Sequence, residues 1–461
     1  LFLSSLVLIG VPVIITQHLG FSINTANRLY GYAQGVIAAG SIAGGLLAGI
    51  LSKKLKPKAI PALITGAAVS MLLGGIALQF LRTPVKAWLL LIIGCGLMGR
   101  EFASATLRWV HLKDEITKPE IIGVCDMNPA SFEWFDKAFP NLKYHFTDYH
   151  DLLACEDIEA VYCAVPHVLH QQVYSDIINA GKHLMGEKPF GMDKAQNDAI
   201  LEALKNHPEV FCRCASEFPF FPACQKVIEW AKSGKLGQII EVKAAFNHAS
   251  DLDPNKPINW KRKNSGNGIY GCMGDLGLHT QHVPFALGWI PETVYAVLSN
   301  IITERPDGKG GIAPCDTWDN ATMLCRVKHD GYEFPMTLET KRIEPGATDQ
   351  WYLKINGTKA SVYFTSEDPD AFHYLYADGP IQSWSRVLVG SRTLFPTITG
   401  ENFEFGFSDS ILQMWAAYMS ELDGKELPFG CVKPEHTHLS HALITAALQS
   451  HAEQRAVKVE Y

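Results

Sequence analysis

The stretch LIIGCGLMGREF, residues 91–102, constrains the fold of this chain more than any other feature. A short apolar run leads into Gly94, Gly96 and Gly99, and a helix-like stretch follows. In such a strand–turn–helix the first glycine permits the tight turn, the second lets a pyrophosphate approach the backbone, and the third lets the helix pack on the strand. Free N–H groups at the start of the helix attract phosphate. The residues expected to bind a dinucleotide are therefore Gly94, Cys95, Gly96, Leu97, Met98 and Gly99.

Further apolar segments follow at the spacing of an α/β protein. IIGVCD (121–126) ends in an acid, and AVYCAVP (160–166) and HLMGEKP (183–189) come after it. Strands that alternate with helical stretches predict a Rossmann-type, doubly wound parallel sheet. The carboxylate of Asp126 would hold the adenosine ribose hydroxyls, and it favours NAD over NADP because a 2′-phosphate would meet a negative charge. The alternative for the glycine turn is a membrane helix over residues 85–99. Such a helix would not explain why strand-like and helix-like segments alternate after it.

The first eighty residues have a different character. No charged side chain occurs in residues 31–52 or in residues 59–81, and each run has the length that crosses a bilayer as a helix. Residues 1–16 form a third, shorter apolar run. We therefore expect about three transmembrane helices in residues 1–85. GGLLAGILSKKLKPKAIP, residues 44–61, loosely resembles the loop between two helices of a major-facilitator (MFS) transporter.

Four lysines between residues 53 and 58 place that loop in the cytoplasm by the positive-inside rule. The next span would then carry the rest of the chain to the outer face, away from the cellular nicotinamide pool. The chain also begins at Leu1 rather than at a methionine. We therefore expect a transporter fragment joined to a complete enzyme by fusion, assembly error or truncation. The enzyme part would be cytoplasmic, and a membrane location would follow only if the N-terminal segment is a natural part of the protein.

Composition excludes several other classes of protein. The net charge is −7, and no basic patch with interleaved aromatic residues suggests nucleic-acid binding. The 11 cysteines are scattered without a CxxC pair, so neither a zinc site nor a disulfide framework is indicated. His436, His438 and His441 suggest a metal site at first sight, but no carboxylate cluster supports one, and we expect them at an exposed helix start. We predict no metal.

Four motifs occur in a characteristic order: GCGLMG at 94–99, AVPHVLH at 164–170, Glu187-Lys188-Pro189 after a strand, and GDLGLH at 274–279. From about Lys86 to the C-terminus the chain resembles the Gfo/Idh/MocA oxidoreductases, the family of glucose–fructose oxidoreductase and inositol dehydrogenase. The resemblance implies an NAD-binding Rossmann domain followed by an α+β domain with a large, open, mostly antiparallel sheet.

The resemblance also implies a role for each matching position. Lys188 would lie between nicotinamide and substrate and hydrogen-bond the reacting hydroxyl. His279 would take the hydroxyl proton, with Asp275 orienting or assisting it. Proton transfer of this kind needs a group whose pKa can be tuned near the working pH. The further positions that would line the cofactor are Pro166, His167, His170 and Glu187, the last near the nicotinamide ribose.

Departures from the family pattern affect the predicted substrate pocket. GNGIYGCMGD (266–275) stands where many relatives have a run of glycines, and His282 stands where an aspartate is common. Trp260 and Arg262 lie just upstream, and we include both as candidate substrate-binding residues. An arginine could hold a hydroxyl or carboxylate through two hydrogen bonds, although a solvated loop charge is as plausible.

Beyond about Glu217 the sequence becomes rich in β-strand patterns, so we expect a cofactor domain over residues 86–216 and a substrate-binding and oligomerisation domain over residues 217–461. The strand candidates are QIIEVKAAF, TVYAVLSNII, ATMLCRVKH, FPMTLETKR and QWYLKI. Asn356-Gly357 predicts a hairpin turn, because both residues accept positive φ. The stretch 434–455 predicts a helix. One face of the sheet would cover the active site, and the other would pair subunits of a homo-oligomer, as is common in the family.

These features favour an NAD-dependent dehydrogenase acting on a sugar, polyol or related alcohol. Two alternatives stay open. One is a glycosidase of the same family, which oxidises its sugar only transiently with retained NAD. The other is a membrane transporter with an appendage that senses nicotinamide or sugar.

Overall fold

The computed structural model describes residues 87–461. The transmembrane helices and the transporter resemblance predicted for residues 1–85 lie outside the described residues. From residue 87 onward, no helix is long and apolar enough to cross a bilayer. Residues 87–93 form a strand, so a membrane helix running on to Gly99 is wrong.

The first part of the described chain is built on a sheet of six strands in the order β3-β2-β1-β4-β5-β6. The pairs β2/β3, β1/β4, β4/β5 and β5/β6 are parallel. Residues 90–93 and 160–163 are buried throughout, as in a sheet covered on both faces. This confirms the Rossmann-like parallel sheet. Its strands are β1 (Ala87–Ile93), β2 (Lys118–Cys125), β3 (Tyr144–Phe146), β4 (Ala160–Cys163), β5 (His183–Gly186) and β6 (Cys212–Cys214).

Helices connect these strands. The helices are α1 (Leu97–Leu107), α2 (Phe132–Ala138), α3 (Tyr149–Leu153), α4 (His170–Asn179) and α5 (Lys194–Asn206).

A second, mixed sheet of nine strands follows, in the order β16-β15-β14-β13-β7-β12-β11-β8-β17. In this sheet of the described residues, β7 and β12 are the only parallel pair of strands, and all other paired strands are antiparallel. A separate hairpin joins β9 to β10. The strands are β7 (Ile239–Asn247), β8 (Pro291–Ser299), β9 (Glu304–Pro306), β10 (Ile312–Pro314), β11 (Asn320–His329), β12 (Tyr332–Lys341), β13 (Gln350–Gly357), β14 (Ala360–Thr365), β15 (Ala371–Tyr376), β16 (Ser385–Leu388) and β17 (Val457–Lys458).

Helices are interspersed with the strands of this part. The helices are α6 (Pro222–Lys232), α7 (Asn264–Asn267), α8 (Cys272–Ala286), α9 (Phe407–Leu422) and α10 (Pro434–Glu453). Helix α8 is buried from Cys272 to Phe285 and packs on β7 and β12. Helix α9 returns to α1 of the parallel sheet, where the Trp415 indole N–H donates to the Phe102 carbonyl at 3.2 Å. The last part of the chain therefore completes the core around the first sheet.

Two local predictions were wrong. The hairpin turns at Thr358 and Lys359, whereas Asn356 and Gly357 belong to β13. Gly357 is required for a different reason, because a Cβ there would lie 2.2 Å from the Leu236 carbonyl oxygen. At the start of α10, His441 is buried rather than exposed, and its ring nitrogen bonds the Pro189 carbonyl at 2.8 Å.

Candidate active site

A cleft of about 630 Å³ opens at the carboxyl ends of the parallel strands and reaches α8 and the mixed sheet. In open α/β sheets this is where ligands bind. The cleft brings the glycine turn, the Glu187-Lys188 segment and helix α8 together. Its lining comprises Gly96, Leu97, Met98, Ala164, Val165, His167, Glu187, Lys188, Glu217, Phe246, His248, Trp260, Lys261, Asp275, Leu276, His279, Asp349 and Phe407.

The glycine turn is shaped by contacts that exclude side chains at two positions and leave space at the third. Gly94 has a φ of +91°, and a Cβ there would lie 2.5 Å from the Ala164 carbonyl oxygen. A Cβ on Gly99 would lie 2.0 Å from the Gly94 carbonyl oxygen, so the helix could not approach the turn. A Cβ on Gly96 would meet nothing within 4 Å. The open space at Gly96, at the start of α1, fits a pyrophosphate against the backbone.

Asp126 follows β2 and lies beside this turn. Its carboxylate accepts hydrogen bonds from the backbone N–H groups of Cys95 and Asn128, each at 2.9 Å. Cys95 itself is buried behind the turn. The cradle, the helix start and the acid at the end of β2 together fit a nicotinamide dinucleotide.

Lys188 extends from the end of β5 to helix α8. Its ammonium group donates to the Asp275 carbonyl oxygen at 2.7 Å and to the Asp275 carboxylate at 2.9 Å. The adjacent Glu187 is buried and accepts a hydrogen bond from the Tyr162 hydroxyl at 2.9 Å. The motif residues Lys188 and Asp275 are therefore in direct contact.

Asp275 also contacts two cations that the motifs did not identify. Lys261 donates to its two carboxylate oxygens at 3.0 and 3.3 Å, and the Arg342 guanidinium donates to one of them. Arg342 in turn bonds the buried Asp251 at 2.9 Å. One buried carboxylate thus holds three cationic side chains on separate segments of the chain.

His279 lies one turn after Asp275 on α8. The carbonyl of His279 accepts the Trp351 indole N–H at 3.0 Å, which ties the helix to the mixed sheet. Its Nδ1 atom is 3.3 Å from the Ser216 hydroxyl and 4.0 Å from the Glu217 carboxylate. The rings of Phe218 and Phe246 meet the imidazole edge-on.

The electrostatic surroundings favour the charged form of some ionisable groups in the cleft and the neutral form of others. Burial opposes ionisation of Asp275, but Lys188, Lys261 and Arg342 outweigh it and hold its pKa well below the usual value. Burial likewise acts against the charge of Lys188, and the carboxylates of Asp275 and Glu187 outweigh it, so the pKa of Lys188 is raised. Both groups are therefore charged at neutral pH.

His279 and Glu217 are shifted toward their neutral forms. Burial, reinforced by the charge of Lys188, holds the pKa of His279 well below its usual value. Burial and the neighbouring Glu187 raise the pKa of Glu217 to about 8. At neutral pH the imidazole of His279 is therefore neutral, with one ring nitrogen unprotonated.

The structure does not bring every predicted residue to the cleft. Arg262 is fully buried and pairs with Asp319, so it is absent from the lining. His170 is buried, with a ring nitrogen 3.1 Å from the Val165 carbonyl, and does not line the cleft. The other predicted residues outside the lining are Gly94, Cys95, Gly99, Asp126 and Pro166. Trp260 does line the cleft, with its ring 4.8 Å from that of His167.

Several residues of the site were not predicted, and five of them make the hydrogen bonds and ion pairs described above. Lys261 lies between the two residues chosen in NWKRKN, and no motif distinguished it. The other four belong to none of the motifs, although Arg342 ends the strand candidate FPMTLETKR, and only the tertiary fold brings them to the site. They are Ser216, Glu217, Asp251 and Arg342.

The fold and the cleft define a dinucleotide-dependent enzyme. Comparison with protein families agrees: residues 89–213 match the oxidoreductase family with the NAD-binding Rossmann fold, Gfo/Idh/MocA, and residues 224–363 match the Gfo/Idh/MocA C-terminal domain. Together the two matches cover more than half of the chain. The chain belongs to the Gfo/Idh/MocA family and is an NAD(P)-dependent oxidoreductase.

Individual relatives are distant. An uncharacterized oxidoreductase of Synechocystis sp. is 28% identical over 324 residues, which is 69% of this chain and 84% of that protein. Levoglucosan dehydrogenase of Pseudarthrobacter phenanthrenivorans is 25% identical over 244 residues, 50% of this chain and 61% of that enzyme.

Solved structures share the fold. A levoglucosan dehydrogenase in complex with NADH and levoglucosan superposes with a TM-score of 0.72 at 22% identity, covering 82% of this chain and 100% of that one. An NAD binding oxidoreductase from Klebsiella pneumoniae gives a TM-score of 0.74 at 22% identity, with the same coverage.

Proposed function

We propose that the protein is an NAD-dependent dehydrogenase that oxidises a CH–OH group of a sugar, polyol or related alcohol. The observation that carries the proposal is the shared cleft, in which the glycine turn and the Lys188, Asp275 and His279 side chains are lined up around one space. The parallel sheet supplies the cofactor side, and helix α8 supplies the proton-handling side.

The ionisation states of the cleft residues support a division of roles among them. Oxidation of an alcohol removes a hydride and a proton, and the nicotinamide, when bound, accepts the hydride. Lys188 is charged and has only N–H groups to offer, so it donates a hydrogen bond to the substrate hydroxyl oxygen. His279 is neutral and accepts the hydroxyl proton. Asp275 contacts Lys188 directly and fixes its position.

The cofactor residues follow from the same geometry. Gly94, Gly96 and Gly99 form the pyrophosphate turn, with Cys95, Leu97 and Met98 between them. Asp126 supplies the ribose acceptor and favours NAD over NADP. The other proposed cofactor residues follow β4 and β5. His167, Glu187 and Lys188 line the cleft, and Pro166 lies next to His167 outside the lining. His170 acts from behind the cleft wall through its bond to Val165.

The substrate class is supported by relatives whose names state it. Levoglucosan dehydrogenase and the D-xylose 1-dehydrogenase (NADP(+)) of Hypocrea jecorina both resemble this chain. Trp260 and Lys261 lie on the cleft wall beside Asp275, and an aromatic face next to hydrogen-bond donors suits a polyhydroxylated ring. Arg262 is not part of this proposal, because Asp319 already pairs with it.

The first test is a titration of the full chain with NADH, followed by energy transfer from tryptophan to nicotinamide. Asp126→Ala should weaken binding about 10- to 100-fold, because it removes hydrogen bonds to a charged acceptor. Asp114→Ala, which changes an exposed acid in the preceding loop, is the matched control and should bind as the parent does. A folded protein that does not bind NADH would overturn the proposal.

A screen for NAD reduction then tests the reaction with levoglucosan, L-sorbose and D-xylose. Net NADH formation supports a dehydrogenase. Tight cofactor retention with substrate turnover but no net NADH would instead favour a redox-neutral relative. One relative, the 2,7-anhydro-N-acetylneuraminate hydratase of Mediterraneibacter gnavus, is named for a hydration and is 26% identical to this chain over 221 residues.

The mixed sheet provides the surface for a homo-oligomer. On β8 the residues alternate between buried and exposed, and the exposed Tyr295 and Val297 lie beside Leu324 of β11. These three side chains are between 42 and 56% exposed on the face away from the helices. An apolar face of this kind is typical of an interface. Sedimentation velocity of the parent and of Leu324→Asp tests it, and a monomeric parent would exclude it.

A further inference from the structure

The orientation of the His279 imidazole depends on residues outside the family motif. Ser216 and Glu217 follow β6 and face Nδ1 at 3.3 and 4.0 Å. Asp275, the motif partner, has its carboxylate bonded to Lys188, Lys261 and Arg342. Among the described residues no hydrogen bond joins the side chains of Asp275 and His279. The side-chain oxygen atoms in contact with Nδ1 of the imidazole therefore come from the segment after the last parallel strand.

We propose that Ser216 and Glu217 are positioning residues that keep a proton on Nδ1 of His279, and that ionised Glu217 stabilises the imidazolium formed when Nε2 takes the substrate proton. The chemical step rests on the proposed dehydrogenase function. The Nδ1 contacts do not depend on it.

The tautomer explains why these oxygen atoms matter. A neutral imidazole carries one proton, and the nitrogen without it is the acceptor. With the proton on Nδ1, directed at Ser216 and Glu217, the lone pair of Nε2 is free. During oxidation the substrate O–H bond breaks and its proton moves to Nε2. The C–H bond of the carbon that bears the hydroxyl breaks as well, and a bound nicotinamide would accept the hydride. His279 then carries a positive charge, which a carboxylate beside Nδ1 stabilises.

The charge of Glu217 is set by its surroundings. The carboxyl group is buried; Glu187 and Asp349 act against its ionisation and Lys188 favours it. His279 itself faces Lys188, Asp275, His282 and Lys261. Because the pKa of Glu217 is raised to about 8, it is a neutral acid in the lower part of the physiological range and a carboxylate above it.

The decisive test needs no substrate. The parent, Glu217→Gln and Glu217→Asp are labelled with ¹⁵N in the histidine rings, and His279→Asn identifies the His279 signals. In the parent Nδ1 should give the signal of a protonated nitrogen, and the ring shifts should change with a midpoint near pH 8 as Glu217 ionises. Glu217→Asp should retain that change and Glu217→Gln should lose it. A proton on Nε2, or the same midpoint in Glu217→Gln, would overturn the proposal.

A kinetic test follows once a substrate is found. The kcat for oxidation should rise through about pH 8 in the parent, and Glu217→Gln should lack this rise and lie about 10-fold lower at pH 9. NADH titration of each variant is the control, because an unchanged affinity shows an intact cofactor site. A purely structural role would lower kcat at every pH without changing the profile.

Failure of the proposed dehydrogenase function and failure of the role proposed for Glu217 would give different results. If the chain does not bind NADH, the proposed function fails while the nitrogen signals still report the tautomer. If NADH binds and substrate turns over but Glu217→Gln keeps the parent profile, the dehydrogenase stands and the role of Glu217 fails.

Discussion

Asp275 and Glu217 line the same cleft, yet their surroundings move their pKa values in opposite directions. Both are buried, which alone opposes ionisation. Asp275 is surrounded by Lys188, Lys261 and Arg342, and these cations hold its pKa far below the usual range. Glu217 has Glu187 as its strongest charged neighbour, and its pKa rises to about 8. Partner charges, rather than burial, decide which carboxyl group stays ionised.

The difference suggests separate tasks. A carboxylate that is ionised at every working pH is suited to hold cations in place, and Asp275 fixes Lys188 and Lys261 at the cleft. A carboxyl group that titrates near neutrality is suited to respond to proton movement. Pairs of acids with divergent pKa values are a recurring sign of divided roles in active sites.

The largest effect should come from Asp275→Asn. The substitution leaves three cations without their shared counter-charge, and breaking a buried ion pair in this way costs about 3–5 kcal/mol. The free energy of unfolding should fall by that amount in urea denaturation followed by circular dichroism. The kcat should fall at least about 100-fold, because Lys188 loses its anchor.

Asp368→Asn is the matched control for this prediction. Asp368 also bonds two partners, His373 and Arg386, but it lies on a partly exposed edge hairpin. Its loss should cost no more than about 1 kcal/mol. If both variants lose the same stability, Asp275 is an ordinary ion-pair residue and the contrast between the two acids disappears.

The sequence indicated most of the residues around the glycine turn and the end of β5, and far fewer of those around His279. The glycine turn, Asp126 and Lys188 are local signals, because each lies in or directly after a continuous apolar strand. Ser216 and Glu217 carry no such signal. They reach His279 only because β6 ends beside α8, a contact between segments more than sixty residues apart.

Neighbouring residues also proved difficult to assign. Lys261 and Arg262 share one helical turn, but Lys261 points into the cleft and Arg262 into a buried pair with Asp319. On so short a helical turn, the sequence alone does not indicate which way a side chain points. The Asn356-Gly357 prediction failed for a related reason, since the close approach of Leu236 selects that glycine rather than a turn. A local sequence pattern cannot reveal a contact with a backbone segment that lies far away in the sequence.

A smaller effect should appear in the pH dependence of stability at Glu217. Its pKa is raised in the folded state, so the folded protein binds the proton more tightly than the unfolded chain does. The resulting stabilisation is fully present below the ordinary value of 4.5 and is lost as the pH rises through about 8. In Glu217→Gln the side chain at this position is neutral at every pH. Relative to Glu217→Gln, the parent should therefore lose on the order of 2 kcal/mol of unfolding free energy between pH 6 and pH 9.

Urea denaturation of the parent and Glu217→Gln at both pH values measures this difference. Glu187 is the main charged neighbour, so Glu187→Gln should lower the pKa of Glu217 and reduce the pH dependence. Asp275 should contribute nothing in this range, because a group with a lowered pKa loses its stabilisation only as the pH falls below its ordinary value. A parent that is equally stable at both pH values relative to Glu217→Gln would show that Glu217 is ionised throughout. The two acids of the cleft would then be alike in charge, and only their partners would distinguish them.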